Sequence, residues 1–409
     1  MHKNETQISR FQSSSPQTQA VHAMIAADPS TAAIAPNMVM SVNHVFDPAH
    51  GAFSAQGVGD VADAPFLYAG WTNPTVRLLE QRLAVLEQAE DAMATATGMA
   101  AISAVFLSLL RAGDHLIISD VCYAGVYEFA TQILPLYGIE VSVVDTTCTE
   151  TVQRALRKST KLVHIETPCN PLLRLTDIAA LATLLQAHGV LLCADSTLST
   201  PVITRPLTLG ADIVVHSLTK FINGHGDVLG GGVLGSKLLI QKIRSLAGIY
   251  LGATLAAQSA WLIMRGMETL YPRMQTVCET AQCIAQWLEN HPRVTRVLYP
   301  GLASHPQFSL AQQQMEHFGG IIAFQVDDID LIEQRFANES AMFYYAFSMG
   351  HQRSLAVVMR TDDLDASTYR FTPEQKAHFC RDAGQGIVRL SIGLESATDL
   401  IRDLELALR

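Results

Sequence analysis

Charged residues are scarce in this chain of 409 residues: 16% are Asp, Glu, Lys or Arg, against 49% apolar. That balance excludes the charge-rich signature of intrinsic disorder and allows a large buried core. Basic residues are the scarcer sign, 28 against 38 acidic for a formal net charge of -10. A binder that grips nucleic acid through clustered Lys and Arg is therefore set aside. The seven cysteines form no CxxC pair and no tight Cys/His cluster, which points to reduced thiols in a cytoplasm and to neither a disulfide framework nor a metal site. The N-terminal MHKNETQISRFQSSS lacks an apolar h-region, so no signal peptide is expected. Two uncharged stretches, residues 92–110 and 247–264, are interrupted by Thr95, Thr97, Gly98, Ser103 and Ser108, and by Gly248, Gly252, Thr254 and Gln258. They read as buried core helices with polar ends, because a membrane span needs about 20 predominantly apolar residues. Internal repeats and low-complexity linkers are missing too, and at ~150 residues per domain the length allows two or three domains.

The first 65 residues or so mix Ser, Pro, Asn and Ala with little periodicity and read as an arm. From Asn73 the pattern sharpens: Asn73 as N-cap, Pro74 at the first helical position, and Val76, Leu79, Leu83 and Leu86 at helical spacing predict a helix over 74–88. Beyond it, LIIS (116–119), VSVV (141–144), LVHI (162–165), VLLCA (190–194), DIVVH (212–216) and GGVLG (231–235) alternate with helical segments. Near-continuous apolar strands separated by helices imply an α/β fold with a mostly parallel sheet covered on both faces. One βαβ unit reads closely, from strand 162–165 through a helix capped by Asp177 and stopped at Gly189 to strand 190–194. A second, smaller α/β unit begins near 260, where TLAAQSAWLIMRGMETL reads as one long helix leading to the strands IIAFQV and GIVRLSIG.

Functional residues of such sheets follow the carboxyl ends of strands. ADIVVHSLTKFINGHGD ends a buried strand in Ser217, Thr219 and Lys220. A desolvated lysine has a lowered pKa and can form a Schiff base with an aldehyde, and the two hydroxyls can hold a phosphate beside it. VLLCA ends in Asp195, and a carboxylate at the end of an apolar strand needs a partner. A pyridinium nitrogen would serve. Strand-end Asp and strand-end Lys together are what pyridoxal 5'-phosphate (PLP) chemistry asks for, although each alone is more often a turn cap or a solvated edge residue. Thr97, Gly98 and Met99 open an apolar helix whose free N–H groups suit an anion, Tyr123 offers a stacking face, and Asn170 in HIETPCNP can hydrogen-bond a phenolic oxygen; a plain cap, a core tyrosine and an Asn-Pro turn are the ordinary readings of the three. Gly224, Gly226, Gly230 and Gly231 lack GxGxxG spacing, and His216, His225 and Asp227 match a metal site weakly.

The strings YAGWTNPT, ATGMAAI, ETPCNP, ADST, VVHSLTKFINGHGD, WLIMRGMETL, YPGLASHP and GIVRLSIGLE stand in the order of a known family. Over nearly its whole length the chain resembles the Cys/Met-metabolism (trans-sulfuration) PLP enzymes, which include cystathionine γ-synthase, cystathionine lyases, methionine γ-lyase and O-acylhomoserine sulfhydrylases. The resemblance implies PLP fold type I, with a mostly parallel sheet in a large domain and a smaller C-terminal α/β domain. The implied organisation is an arm over 1–66 at an oligomer interface, a PLP-binding domain over 67–258 and a C-terminal domain over 259–409. It implies Lys220 as the lysine that holds PLP and shuttles protons, Asp195 at the ring nitrogen, and Tyr123 as stacking and acid/base tyrosine. Gly98, Met99, Ser217 and Thr219 are implied as phosphate cradle, Asn170 and Arg389 as carboxylate binders, and Ser348 and Phe347 on the substrate side. Tyr68 is implied to enter catalysis and cofactor binding from a neighbouring subunit of a homo-oligomer, a tetramer built as a dimer of dimers.

Two positions depart from that pattern. Gly70 stands where the family has a phosphate-binding Arg, and Phe347 where many cystathionine-handling members have Glu. The expected activity is PLP-dependent carbon–sulfur lysis of a methionine-, homocysteine- or cystathionine-type amino acid, giving thiol, 2-oxo acid and ammonia. The alternatives are γ-replacement on an activated homoserine and, in another class, a PLP-binding protein with little turnover. The expected partner is a small amino acid, with no nucleic acid, membrane or metal.

Overall fold

The apolar runs become the strands of two sheets in a computed structural model that describes residues 14–47, 61–62 and 64–409. Most of the polar N-terminal segment, and residues 48–60 and 63 of the expected arm, lie outside the described residues. The larger sheet comprises β1 (Asp91–Thr95), β2 (His115–Ser119), β3 (Glu140–Val144), β4 (Thr160–Glu166), β5 (Leu191–Asp195), β6 (Ile213–Ser217) and β7 (Gly231–Gly235) in the order β1-β7-β6-β5-β4-β2-β3. Strands β2 to β6 run parallel, and β7 is antiparallel to both β6 and β1. The smaller sheet orders β8 (Val294–Leu298), β9 (Ile321–Val326), β10 (Tyr344–Tyr345), β11 (Leu355–Arg360) and β12 (Gly386–Ser391) as β10-β11-β12-β9-β8. The chain is thus an α/β protein of the expected type.

Helix signals worked where a polar cap preceded an apolar period. The Asn73 side chain accepts from the N–H groups of Thr75 and Val76 and starts helix Pro74–Glu87, a cap worth ~1 kcal/mol. Asp177 caps Ile178–Ala187 and Thr97 caps Gly98–Leu109 in the same way. The two uncharged stretches were misjudged. Residues 92–110 do not form one helix: the first part is β1, held antiparallel to β7 by long-range pairing that local composition does not report, and the helix starts only at Gly98. Residues 247–264 likewise hold a π-helical turn ending at Gly248, a bridge at Thr254 and then the start of helix Ala257–Met267. The single helix expected across 254–270 ends at Met267, and a second one, Leu270–Glu289, follows.

Strand alternation places the site. Ile117, Val163, Ile165, Leu192 and Ala194 face the helix Ile178–Ala187 in one apolar cluster. Their neighbours Leu116, Ile118, Leu162 and Cys193 belong to the larger core shared with Ile102, Val105 and Phe106 of helix Gly98–Leu109. Because side chains alternate with a period of two, Glu166 and Asp195, register partners at the ends of β4 and β5, emerge toward that second helix. No helix among the described residues is long and apolar enough to cross a membrane.

Candidate active site

A cavity of about 330 Å³ opens at the carboxyl ends of β4, β5 and β6, lined by Gly98, Met99, Tyr123, Asn170, Asp195, Ser217, Thr219 and Lys220 together with Glu166 and Thr197. Its volume lies at the lower end of the roughly 300–1,000 Å³ typical of small-molecule sites. The position, outside the strand ends of a parallel sheet, is the one topology favours.

At one end, helix Gly98–Leu109 approaches β6 closely: a Cβ at Gly98 would lie 2.8 Å from Ser217 Cβ and 3.0 Å from its Oγ. Only glycine allows this approach. Thr97 satisfies the Ala100 N–H, whereas the N–H groups of Gly98 and Met99 precede the first possible intrahelical acceptors and remain for an anion. The Thr219 hydroxyl lines the same end but also tethers a loop, donating to the Gly230 carbonyl at 3.2 Å and accepting from the Gly230 N–H at 3.0 Å.

At the floor, Asp195 Oδ1 accepts from the Thr197 N–H at 2.9 Å, while Thr197 Oγ1 accepts from the Ser217 N–H at 2.8 Å. Burial raises the Asp195 pKa, with the Thr197 bonds opposing, and among the described residues no cationic side chain forms a salt bridge with it. A carboxyl in that state suits a cationic ring nitrogen. The residues present therefore fit a flat, phosphorylated pyridine: free helix amides and Ser217 at one end, a cation-seeking carboxyl at the floor, and Tyr123, half exposed, at the side.

From the side of the second sheet Met349 lines the cavity, and Ser348 and Arg389 reach it through the lining residues Lys220 and Asn170. Lys220 Nζ donates to Ser348 Oγ at 2.7 Å, and its pKa is lowered by burial and then by the charge of Arg389. Arg389, on β12, donates through Nη1 to Asn170 Oδ1 at 2.7 Å and through Nη2 to the Ser348 carbonyl at 3.0 Å. Burial brings its pKa down to about 10, which leaves it cationic at neutral pH. Ser348 holds φ +89°, an uncommon conformation for a side-chain-bearing residue, in a turn that lies directly on the Lys220 backbone.

Two expected residues stand apart from this cluster. Tyr68 is 52% and Phe347 78% exposed, and neither lines the cavity in the single chain. The glycine run and the histidines serve other ends: His216 bonds Glu87 at 2.5 Å in the core, and His225 Nδ1 meets the Asn223 carbonyl at 2.6 Å. Reading from sequence missed Glu166 and Thr197. Glu166 was detectable, since it ends an apolar strand just as Asp195 does.

The chain is similar to known proteins along most of its length. The family of Cys/Met metabolism PLP-dependent enzymes matches residues 17–409. An L-methionine gamma-lyase of Pseudomonas putida is 40% identical over 348 residues, 85% of this chain and 86% of that protein. A canavanine gamma-lyase of Pseudomonas canavaninivorans is 38% identical over 396 residues, 96% of this chain and 95% of that one. Among solved structures, cystathionine gamma synthase from Xanthomonas oryzae pv. oryzae in complex with cystathionine superposes with a TM-score of 0.86 at 34% identity, covering 96% of this chain and 97% of that one.

Proposed function

The chain belongs to the Cys/Met metabolism PLP-dependent enzymes, and from that premise we propose that it is a carbon–sulfur lyase acting by elimination on a methionine-, homocysteine- or cystathionine-type amino acid. With water, the products are a thiol, a 2-oxo acid and ammonia. The observation that carries the reading is that Lys220 and Asp195 line one cavity while Arg389, from the other sheet, is hydrogen-bonded to the lining residue Asn170, so that a base, an acid and a carboxylate-binding cation converge from both sheets.

Bound PLP supplies an electron sink that stabilises negative charge at the substrate Cα. Gly98, Met99, Ser217 and Thr219 would hold its phosphate, Asp195 its ring nitrogen, Tyr123 its face and Lys220 its aldehyde carbon. Arg389, fixed by Asn170 and Ser348, receives the substrate carboxylate. Lys220, whose lowered pKa raises the fraction of neutral amine, is suited to take the proton from Cα and to move a second at Cβ when the leaving group is on Cγ. Ser348 Oγ holds that amine in place between transfers. The single chain also exposes Ile34, Met40, Val42 and Val45 on its arm. This apolar strip, with Tyr68 half exposed and outside the lining of its own cavity, supports a homo-oligomer, a dimer of dimers in which Tyr68 serves the neighbouring site. The seven cysteines, all free, support a cytoplasmic location.

Mass-spectrometric product analysis tests the activity on methionine, homocysteine, cystathionine, canavanine and O-acetylhomoserine, each with and without added thiol. Thiol and 2-oxo acid from the sulfur substrates support elimination. Thioether formed only when thiol is added to the homoserine ester establishes γ-replacement, and no turnover with bound PLP establishes a binding protein. Borohydride reduction followed by peptide mapping tests the cofactor: a pyridoxyl group on the Lys220 peptide, lost in Lys220→Ala, is expected.

A further inference from the structure

Glu166 ends β4 beneath the cavity and is almost wholly buried. Its two carboxyl oxygens are used separately: Oε2 accepts the N–H of Tyr123 and Oε1 the N–H of Asn170, each at 2.7 Å. Both lengths lie at the short end of the range for an N–H···O bond. The two donors belong to different segments, the turn after β2 and the turn after β4, and both residues line the cavity. The connection continues beyond them. Asn170 Oδ1 takes Nη1 of Arg389, Nη2 of Arg389 reaches the Ser348 carbonyl, and Ser348 Oγ takes Lys220 Nζ. One line of hydrogen-bonded residues thus runs from the stacking tyrosine to the lysine, and Glu166 is the member that joins Tyr123 to Asn170 and so to the rest.

Keeping a carboxyl here is costly. Burial, and then the neighbouring charge of Asp195, raise its pKa, and a buried acid next to another acid destabilises a fold unless its bonds are well made. A turn could be tied to a strand end by a neutral acceptor without that cost. The expense is explained if both oxygens are needed at once.

We infer that Glu166 is a positioning residue, which sets the separation between the ring-stacking Tyr123 and the carboxylate-binding pair Asn170 and Arg389 by clamping the two backbone N–H groups with one carboxyl. The inference rests on the PLP site proposed above. Gln at this position keeps the shape but offers one oxygen acceptor, and its amide N–H₂ confronts the second N–H. Asp keeps both oxygens but is one methylene too short to reach both donors.

The test compares PLP-loaded wild type, Glu166→Gln and Glu166→Asp. It uses glycine as a ligand with the amine and carboxylate but no leaving group, and reads binding from the absorption of bound PLP; equilibrium dialysis gives the PLP dissociation constant. Both variants are expected to bind glycine at least tenfold more weakly, and PLP several-fold more weakly, with circular dichroism unchanged. Glu166→Gln within twofold of wild type shows that shape alone suffices and overturns the inference. Glu166→Asp matching wild type while Glu166→Gln is impaired reduces the role to charge and also overturns it. If the variants do not fold, residue-resolved amide exchange on the wild-type protein decides: slow exchange at both Tyr123 and Asn170 is expected, and exchange at either at the rate of an open loop refutes the clamp. Failure of the cofactor reading is separately visible as a wild-type protein that takes up no PLP, and amide exchange still decides the clamp in that case.

Discussion

Replacing Gly350 by alanine places a methyl group on the backbone that holds the lysine. Gly350 has φ +76°, and a Cβ there would lie 2.5 Å from Phe221 N, 2.8 Å from Lys220 C and 3.1 Å from Lys220 Cα. All three are main-chain atoms, so no side chain can swing aside. The left-handed conformation costs a residue with a Cβ about 1–2 kcal/mol, and overpacking adds about 1–3 kcal/mol. The lower entropy of the unfolded alanine chain offsets about 0.4–1 kcal/mol. The net loss is then about 1–4.5 kcal/mol, partly relieved if the 348–350 turn moves off Lys220, which parts the 2.7 Å bond between Lys220 Nζ and Ser348 Oγ. Gly113 is the control, because it has φ +89° and nothing within 4 Å of its Cβ position; Gly113→Ala carries the conformational cost without the clash. Urea unfolding of both variants isolates the packing part as the difference, expected at about 1–3 kcal/mol, and glycine binding to the PLP-loaded forms should weaken only in Gly350→Ala. Equal midpoints for the two variants, with glycine binding unchanged, would refute the claim that this turn is pressed onto Lys220.

Three further outcomes follow from the geometry. Phe347→Glu offers a carboxylate to the distal ammonium of cystathionine. Since Phe347 is largely exposed, the gain is that of an exposed ion pair, about 0.5–1 kcal/mol, and the ratio of kcat/KM for cystathionine over methionine should rise roughly two- to fivefold; an unchanged ratio at equal PLP content shows that this position does not read the distal group. Gly70→Arg restores a charge-assisted phosphate contact worth ~1.5–3 kcal/mol, provided the Tyr68 ring, which the new Cβ would overlap, swings away. PLP should leave the variant more slowly than wild type on dialysis, and faster loss counts against that role. Asp403 accepts from Ser340 Oγ at 2.6 Å and from the N–H groups of Ala341 and Met342 at 3.0 Å. Burial pushes its pKa up, but these bonds outweigh it and hold the pKa below the ordinary value. Its contribution is therefore present at neutral pH and lost as pH falls through the folded-state pKa, so Asp403→Asn should lower the urea midpoint at pH 7 by an amount that shrinks in acid; a gap independent of pH contradicts the charge.

What local sequence determined is what depends on near neighbours. Asn73, Thr97 and Asp177 name the starts of their helices because a cap bonds two or three residues ahead, and the apolar runs name β2 and β4 to β7 because a strand buried on both faces must be almost continuously apolar, while β3, at the sheet edge, is only half-buried. Asp195 and Lys220 stood out because ionisable groups at the ends of such strands call for partners. Tertiary structure alone decided the rest. β1 exists through its pairing with β7, about 140 residues away; Thr97 marks where the helix after it begins, but nothing in DAMAT itself marks a strand. The contacts that make the cavity reactive are longer still: Lys220 meets Ser348 across 128 residues and Arg389 meets Asn170 across 219. Glu166 lay open to the same rule as Asp195, yet its partners are two backbone N–H groups, which every residue but proline carries and no side-chain pattern marks. Only the approach of the turns after β2 and β4 selects which two it holds.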